Sequence, residues 1–372
     1  MPRIFVYSWF YSWMVAARFY PAKWVYTTCR IIIYGEKMST SFAFVLNPLE
    51  IKDSKSPIEI IPNYFFQKAD SNQINVLKQT WSKLPGNFFW LNSYEYDYGV
   101  VSRPNQKSIK LAPQDWKYWI LAHNGYISVN KKRETFSILE CALLLLQNDL
   151  EIGPLFFSQS GNNYQWNPRS FYNYFLDYPA GGRPATQITH GEIQEIGTSH
   201  TSISDFFKKM HTITVYPTGK KISDINDYYH ENFQHIELAI RYFVDLKALP
   251  RYSGLTIIGL FSIIESLITH KPKQNAEDSL NHQIKTKIPL LGKKFQRTLD
   301  YKKYFAFADE KKLWGNLYDF RSKIVHDGNE NIGNIKELKS LENVTDFLKE
   351  TVKLLILFAL KEPQFLTDLK EC

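Results

Sequence analysis

Three cysteines in 372 residues, Cys29, Cys141 and Cys372, are too few and too scattered for a disulfide scaffold. With no CxxC pair and no His/Cys cluster they make no zinc ribbon either. A reducing compartment, the cytoplasm, is the expected setting. The N-terminal segment has no uncharged run longer than the 14 residues from Ile4 to Ala17, short of the roughly 20 that span a bilayer. It also lacks the order of a signal peptide, in which a basic start, an apolar middle and a small-residue cleavage site follow one another. The Gly-rich YPAGGRPATQ, 178–187, has no Lys-Ser after it and no strand–loop–helix frame, so it reads as a loop and not a phosphate cradle. His123-Asn124-Gly125 reads as a turn. The histidines of the N-terminal half show no metal-ligand spacing, and no metal or cofactor is expected.

Charge and aromatic residues are abundant. The formal charge is +8 and 16% of residues are aromatic. Half of that charge, with eleven aromatics, sits in residues 1–37, as in FVYSWFYSW. Met38 then opens MSTSFAFVLNPLE in the manner of a start, so residues 1–37 are expected to be a poorly packed upstream extension. An amphipathic membrane anchor is the other reading of that segment; stable membrane insertion is not expected.

Residues 38–218 mix short β-like runs with helices. SFAFVLN, IEIIPNYFFQ, FFWLNSYEYDYGVV and KYWILAHNGYISV are rich in β-branched and aromatic residues and are broken by Asn, Pro and Gly. Residues 71–84, opening on a serine cap, and 137–150 have helical spacing. YPTGKK, 216–221, separates this α+β domain from a helical one. From 222 to 362 five helices are expected. The first carries Ile222, Ile225, Tyr229, Phe233, Ile236, Ile240 and Phe243. The second, 253–270, is apolar all round and central. The third covers 279–291, the fourth runs from Lys311 to His326 and stops at Gly328, and the fifth spans Ile335 to Ala359. The predicted fold is an α+β N-terminal domain followed by an all-α helical bundle.

LYDFRSKIVHDGN, 317–329, is the stretch that needs a chemical explanation. At about 100° per residue, Leu313, Leu317, Phe320 and Ile324 form a core face, with Arg321 about 40° and His326 about 180° from Leu317. Trp314, Val325, Tyr318 and Ser322 lie between, so a second, partly aromatic face is bracketed by an arginine and a histidine. An exposed face of that kind is more often a contact surface than a solvated one. Two copies meeting on it across a twofold axis would bring two Arg and two His into one cleft. Glu265 is the one charged residue in the second helix, and a buried carboxylate needs a partner or a proton; Arg321 is the nearest candidate. A structural ion pair is an equal reading of those two. A helix cap is an equal reading of His326, at a terminus where the helix dipole favours a charged imidazole.

Together with the helix order, GLFSIIESLITHKP (259–272) followed by LYDFRSKIVHDG (317–328) closely resembles the Apea-like branch of the HEPN (higher eukaryotes and prokaryotes nucleotide-binding) superfamily, over roughly residues 222–362. The shared signature is R-x4-H, here Arg321 to His326; many members have His-Gly where this chain has His326-Asp327-Gly328. The resemblance implies a metal-independent endoribonuclease without a cofactor, found in bacterial toxin and anti-phage systems. Such an enzyme is a homodimer through the helix bearing Arg321 and His326. A non-catalytic module that dimerises or binds nucleotide or RNA is the alternative, with recognition left to the α+β domain. The resemblance names no particular antitoxin or phage trigger. RNA carries its own nucleophile, so cleavage needs proton transfer and stabilisation of a crowded phosphate. His326 would move protons and Arg321 would hold phosphate oxygens with its planar fork. Ser322 and Tyr318 would position the substrate, and Glu265 would orient Arg321. Residues 285–312 hold nine Lys and Arg against three acidic residues. They are either a solvated surface or a path for the polyanion, through Lys285, Lys287, Lys293, Lys294 and Arg297.

Overall fold

The computed structural model describes residues 41–51, 56–82, 88–97, 109–125, 128–159, 162–166, 185–211, 224–272, 279–305, 309–328, 330–332 and 335–372. The aromatic N-terminal segment, most of the Gly-rich loop and the break at 216–221 lie outside them.

The first part of the chain builds a sheet. Its strands are β1 (Ser41–Val45), β2 (Leu49–Ile51), β3 (Ile58–Ile61), β4 (Tyr64–Lys68), β5 (Tyr96–Asp97), β6 (Ile109–Lys110), β7 (Trp119–His123), β8 (Ile152–Gln159), β9 (Asn162–Trp166) and β10 (Thr186–Ile188). Its helices are α1 (Ser71–Trp81), α2 (Phe88–Glu95), α3 (Val129–Leu144) and α4 (His190–His211). Six strands pair antiparallel in the order β3-β4-β7-β1-β8-β9. Side chains alternate across a strand, so in β1 Phe42 and Phe44 join Ile74 and Leu77 of α1 and Tyr94 of α2 in one core. Ala43 and Val45 join the other, which includes α3 and α4. Every β1 residue is therefore buried.

Several elements differ from the sequence expectation. FFWLNSYE, strand-like by propensity, is helix α2; there Tyr94 stacks on Tyr118 at 4.6 Å, and tertiary packing overrides propensity. α1 is capped by Asp70, not by Ser71: Asp70 accepts from the Gln73 backbone N–H at 2.8 Å while Gln73 accepts from the Asp70 N–H at 2.8 Å. The helix expected at 137–150 begins at Val129, after a Ser128 cap, and ends at Leu144. β8, β9 and α4 were not expected. The α4 stripe Ile193, Ile196, Ile203, Phe206 and Met210 is fully buried but is masked in the sequence by the Gly197-Thr-Ser run. Gly197 is where α4 crosses β3, since a Cβ there would stand 2.1 Å from the Ile60 carbonyl oxygen.

The second part is helical: α5 (Asp224–Asp245), α6 (Gly254–Ile268), α7 (Leu280–Gly292), α8 (Glu310–Asp327), α9 (Leu341–Lys361) and α10 (Pro363–Glu371). α5, α7, α8, α9 and α10 all pack on α6. It buries Ile257, Leu260, Phe261, Ile263, Ile264, Leu267 and Ile268, each a contribution of about 1.5–3 kcal/mol. α9 begins at Leu341, leaving Ile335 and Leu338 in the loop and short 3-10 turn before it. Pro363 starts α10, because a proline fits the first helical position, where its missing N–H costs nothing.

The two parts meet at α3 and α4, with α4 packed on α5 and α9. Lys353 of α9, 3% exposed, reaches the end of α3, donating to the carbonyls of Leu146 (2.8 Å) and Gln147 (3.3 Å) and pairing with Asp149. Lys247, after α5, pairs with Glu140 at 3.4 Å and Glu151 at 3.6 Å. Burial pushes the Asp149 carboxyl up, but the charges of Lys353 and Lys349 outweigh it and hold it at about 2. The apolar core runs unbroken from the α3 side of the sheet into the helices. Among the described residues no helix is long and apolar enough to cross a membrane.

Candidate functional site

α8 starts on an Asp309 cap, whose carboxylate accepts from the Lys311 N–H at 2.8 Å. It ends at Gly328, whose left-handed φ of 60° suits glycine and lets its N–H reach the Ile324 carbonyl at 3.1 Å. Leu313, Leu317, Phe320 and Ile324 are buried as the wheel requires. Trp314, assigned to the second face, is instead wholly buried against Phe347 of α9 at 5.4 Å between rings. A globular helix buries a broad stripe, wide enough to take in a position about 60° from its centre.

α7 covers the N-terminal half of α8 on the far side. Gly315 makes this possible: a Cβ there would lie 2.6 Å from Lys285 Cε, so the lysine chain crosses the helix at that point. The C-terminal half stays open. Tyr318, Arg321 and Ser322 are half-buried there, and Val325 (45%) and His326 are exposed.

Glu265 of α6 joins this face. Arg321 Nη2 donates to Glu265 Oε2 at 3.3 Å, with the two side chains 20% and 17% exposed. The Arg321 guanidinium lies 5.7 Å from the Tyr318 ring centre. Tyr318 in turn meets Phe261 of α6 edge-on at 6.2 Å. Glu265 Oε1 and Arg321 Nε are buried and find no hydrogen-bond partner among the described residues. Burial pushes the Glu265 carboxyl up, opposed by the Arg321 charge. Burial also raises the Tyr318 hydroxyl, and the Glu265 charge adds to it. The structure thus brings Glu265, Arg321 and Tyr318 together. It leaves His326 apart, without a hydrogen bond among the described residues, about 140° around the helix from Arg321.

The basic stretch divides. Lys293 and Lys294 are exposed, Lys294 over the Phe365 ring at 5.2 Å, and Lys285 lies beside α8. Lys287 does not belong to a nucleic-acid surface: it is 7% exposed and donates to the Lys370 carbonyl at 3.1 Å. Its place on the inner face of α7, with buried Gln283 and Ile284, is why. Arg297 is also taken up, donating to the Leu145 carbonyl at 3.4 Å and facing Glu350 at 3.8 Å.

One part of the site escaped the sequence. Gly254, at the start of α6, lies against Ile324 and Glu330 at the end of α8. Next to Gly254 in the chain, Leu255 is 60% exposed, and Val325, next to Ile324, is 45% exposed. The signal was the all-apolar character of α6, which leaves one hydrophobic residue too many for the inside. Among the described residues no group of three or more His, Cys, Asp or Glu is placed to hold a metal. Compared with known proteins, the chain matches no family model, no curated protein and no solved structure.

Proposed function

We infer that the chain is a metal-independent endoribonuclease of the HEPN kind, acting as a homodimer. The observation that carries this reading is the half-open Arg321–Glu265 pair beside Tyr318, on the same helix as exposed His326 and at the R-x4-H spacing. In the proposed reaction the RNA 2′-oxygen attacks the adjacent phosphorus as its proton leaves to a base. The P–O5′ bond breaks, and the 5′-oxygen takes up a proton. The products are a 2′,3′-cyclic phosphate and a 5′-hydroxyl. His326 moves the proton, and Arg321 holds the non-bridging oxygens where charge accumulates. Glu265, bonded to one guanidinium nitrogen, orients the fork and leaves its outer edge to the phosphate.

The wide angle between Arg321 and His326 favours sharing across a twofold axis, with Arg321 of one copy opposite His326 of the other. Leu255, Val325 and Tyr318 supply the apolar contact. Val325→Glu should then halve the mass seen by light scattering, and Arg321→Ala mixed with His326→Ala should regain part of the activity that each variant lacks alone. A clean wild-type monomer at micromolar concentration removes the shared site.

The pairing of Arg321 with Glu265 also suits a module that binds RNA without cutting it. Incubating the full-length protein with total RNA in EDTA separates the two. Cleavage leaving 2′,3′-cyclic phosphate ends, with DNA intact, is the enzyme's outcome; binding without cleavage is the module's. Cleavage that requires Mg²⁺ and leaves 3′-hydroxyl ends overturns the mechanism.

A further inference from the structure

Resting on the ribonuclease reading, we propose that Lys285 of α7 holds an RNA phosphate neighbouring the scissile one, at the entrance to the open face of α8. The ground for this is a glycine. Gly315 lies inside α8, where glycine is unfavourable against alanine. A Cβ there would stand 2.6 Å from Lys285 Cε and 2.8 Å from its Nζ. The missing side chain lets the lysine stem lie flat across the helix and brings its ammonium to one defined place.

That place is on the side of the candidate site. At about 100° per residue, Gly315 falls about 20° from both Ser322 and His326. At about 1.5 Å per residue it lies about 9 Å along the axis from Arg321, so the two cations meet different phosphates of one strand. The ammonium is also free to act. Lys287 and Arg297, from the same basic stretch, are spent on the Lys370 and Leu145 carbonyls. Lys285 is half-buried, with three donors and no hydrogen bond or ion pair among the described residues. Asp319, about one turn on and about 40° round from Gly315, is exposed and does not pair with it among the described residues. Exposed Lys311, about 40° to the other side, balances that charge. A lone ammonium here gives position on the strand and not sequence, because a phosphate contact carries no base information.

The test measures fluorescence anisotropy of full-length protein with labelled 2′-O-methyl oligouridylate and oligoadenylate, single strands without the 2′-hydroxyl that cleavage needs. Salt is varied from about 50 to about 200 mM. Lys285→Met keeps a stem over Gly315, so its thermal midpoint should match wild type. It should bind both strands about fivefold more weakly, and its slope of log affinity against log salt should shrink by about 0.7, one single-strand phosphate contact. Lys285→Arg should keep the wild-type slope. So should Lys131→Met, which removes an exposed lysine of the sheet-bearing part. Should Lys285→Met not fold, Lys285→Gln decides by the same slope. A Lys285 variant with wild-type affinity and slope, or an equal loss in Lys131→Met, overturns the proposal; cleavage by wild type in EDTA then still upholds the ribonuclease reading. A wild type that neither binds these strands nor cuts RNA overturns both.

Discussion

At the α3 junction, Lys353 is almost wholly buried and its ammonium is spent on two carbonyls and the Asp149 carboxylate. At the α6–α8 contact, Arg321 holds Glu265 through one 3.3 Å hydrogen bond, and a buried nitrogen and a buried oxygen of the pair find no partner among the described residues. Both are basic–acidic pairs between packed elements, but they are finished differently. A buried ion survives where its lone pairs and protons are all used; the junction meets that condition and holds the parts together. The half-open pair is less completely satisfied and so less suited to a clamp; on the proposed function its guanidinium, 20% exposed, also meets an incoming anion. On the proposed function, the first pair is kept for structure and the second for a ligand.

The strongest way to break this comparison is Lys353→Ala. It removes the cation bonded to Asp149, leaving only the nearby charges of Lys349 and Arg251, and should cost about 3–5 kcal/mol in urea unfolding; a loss under about 1 kcal/mol would mean that the junction is not structural. Acid gives the next effect. The Asp149 carboxyl lies at about 2, below the ordinary 3.8. Its contribution is therefore present above about pH 4 and is lost as pH falls through about 2. Wild type minus Asp149→Asn should show on the order of 2 kcal/mol vanishing in that window.

How far could these two pairs be read beforehand? Glu265 and Arg321 were legible because each breaks an apolar stripe, one in α6 and one at the edge of the α8 core face. The helix order from α5 to α9 was legible for the same reason: periodicity survives in long amphipathic helices. Lys353 and Asp149 were not, since 204 residues separate them and no local pattern links them. Trp314 and Lys287 were misplaced because a helical wheel says which residues share a face but not which neighbour covers it; Phe347 and Lys370 decide those cases. In the sheet region α2 was mistaken for a strand, because aromatic composition resembles strand preference wherever tertiary contacts set the outcome.

Smaller effects sharpen the contrast. Arg321→Ala should cost about 1 kcal/mol, far less than Lys353→Ala, because Glu265 can take up a proton in place of its partner. The smallest effect has the opposite sign to that of Asp149. The Glu265 carboxyl is raised by burial, so the native state holds its proton more tightly than the unfolded chain does. Stability associated with it should fall as pH rises past the ordinary 4.5. A wild-type minus Glu265→Gln difference curve should slope downward there. An upward slope would place Glu265 with the clamps.

The most direct test follows RNA cleavage in EDTA and urea unfolding together, for full-length wild type, His326→Ala and Arg321→Lys. His326 is exposed and Arg321 half-open, so both variants should unfold within about 0.5 kcal/mol of wild type. His326→Ala should nevertheless lose roughly 10²–10⁴ in rate, and Arg321→Lys should fall sharply because an ammonium keeps the charge without the fork. A His326→Ala protein that folds normally and cuts RNA at the wild-type rate would contradict the account.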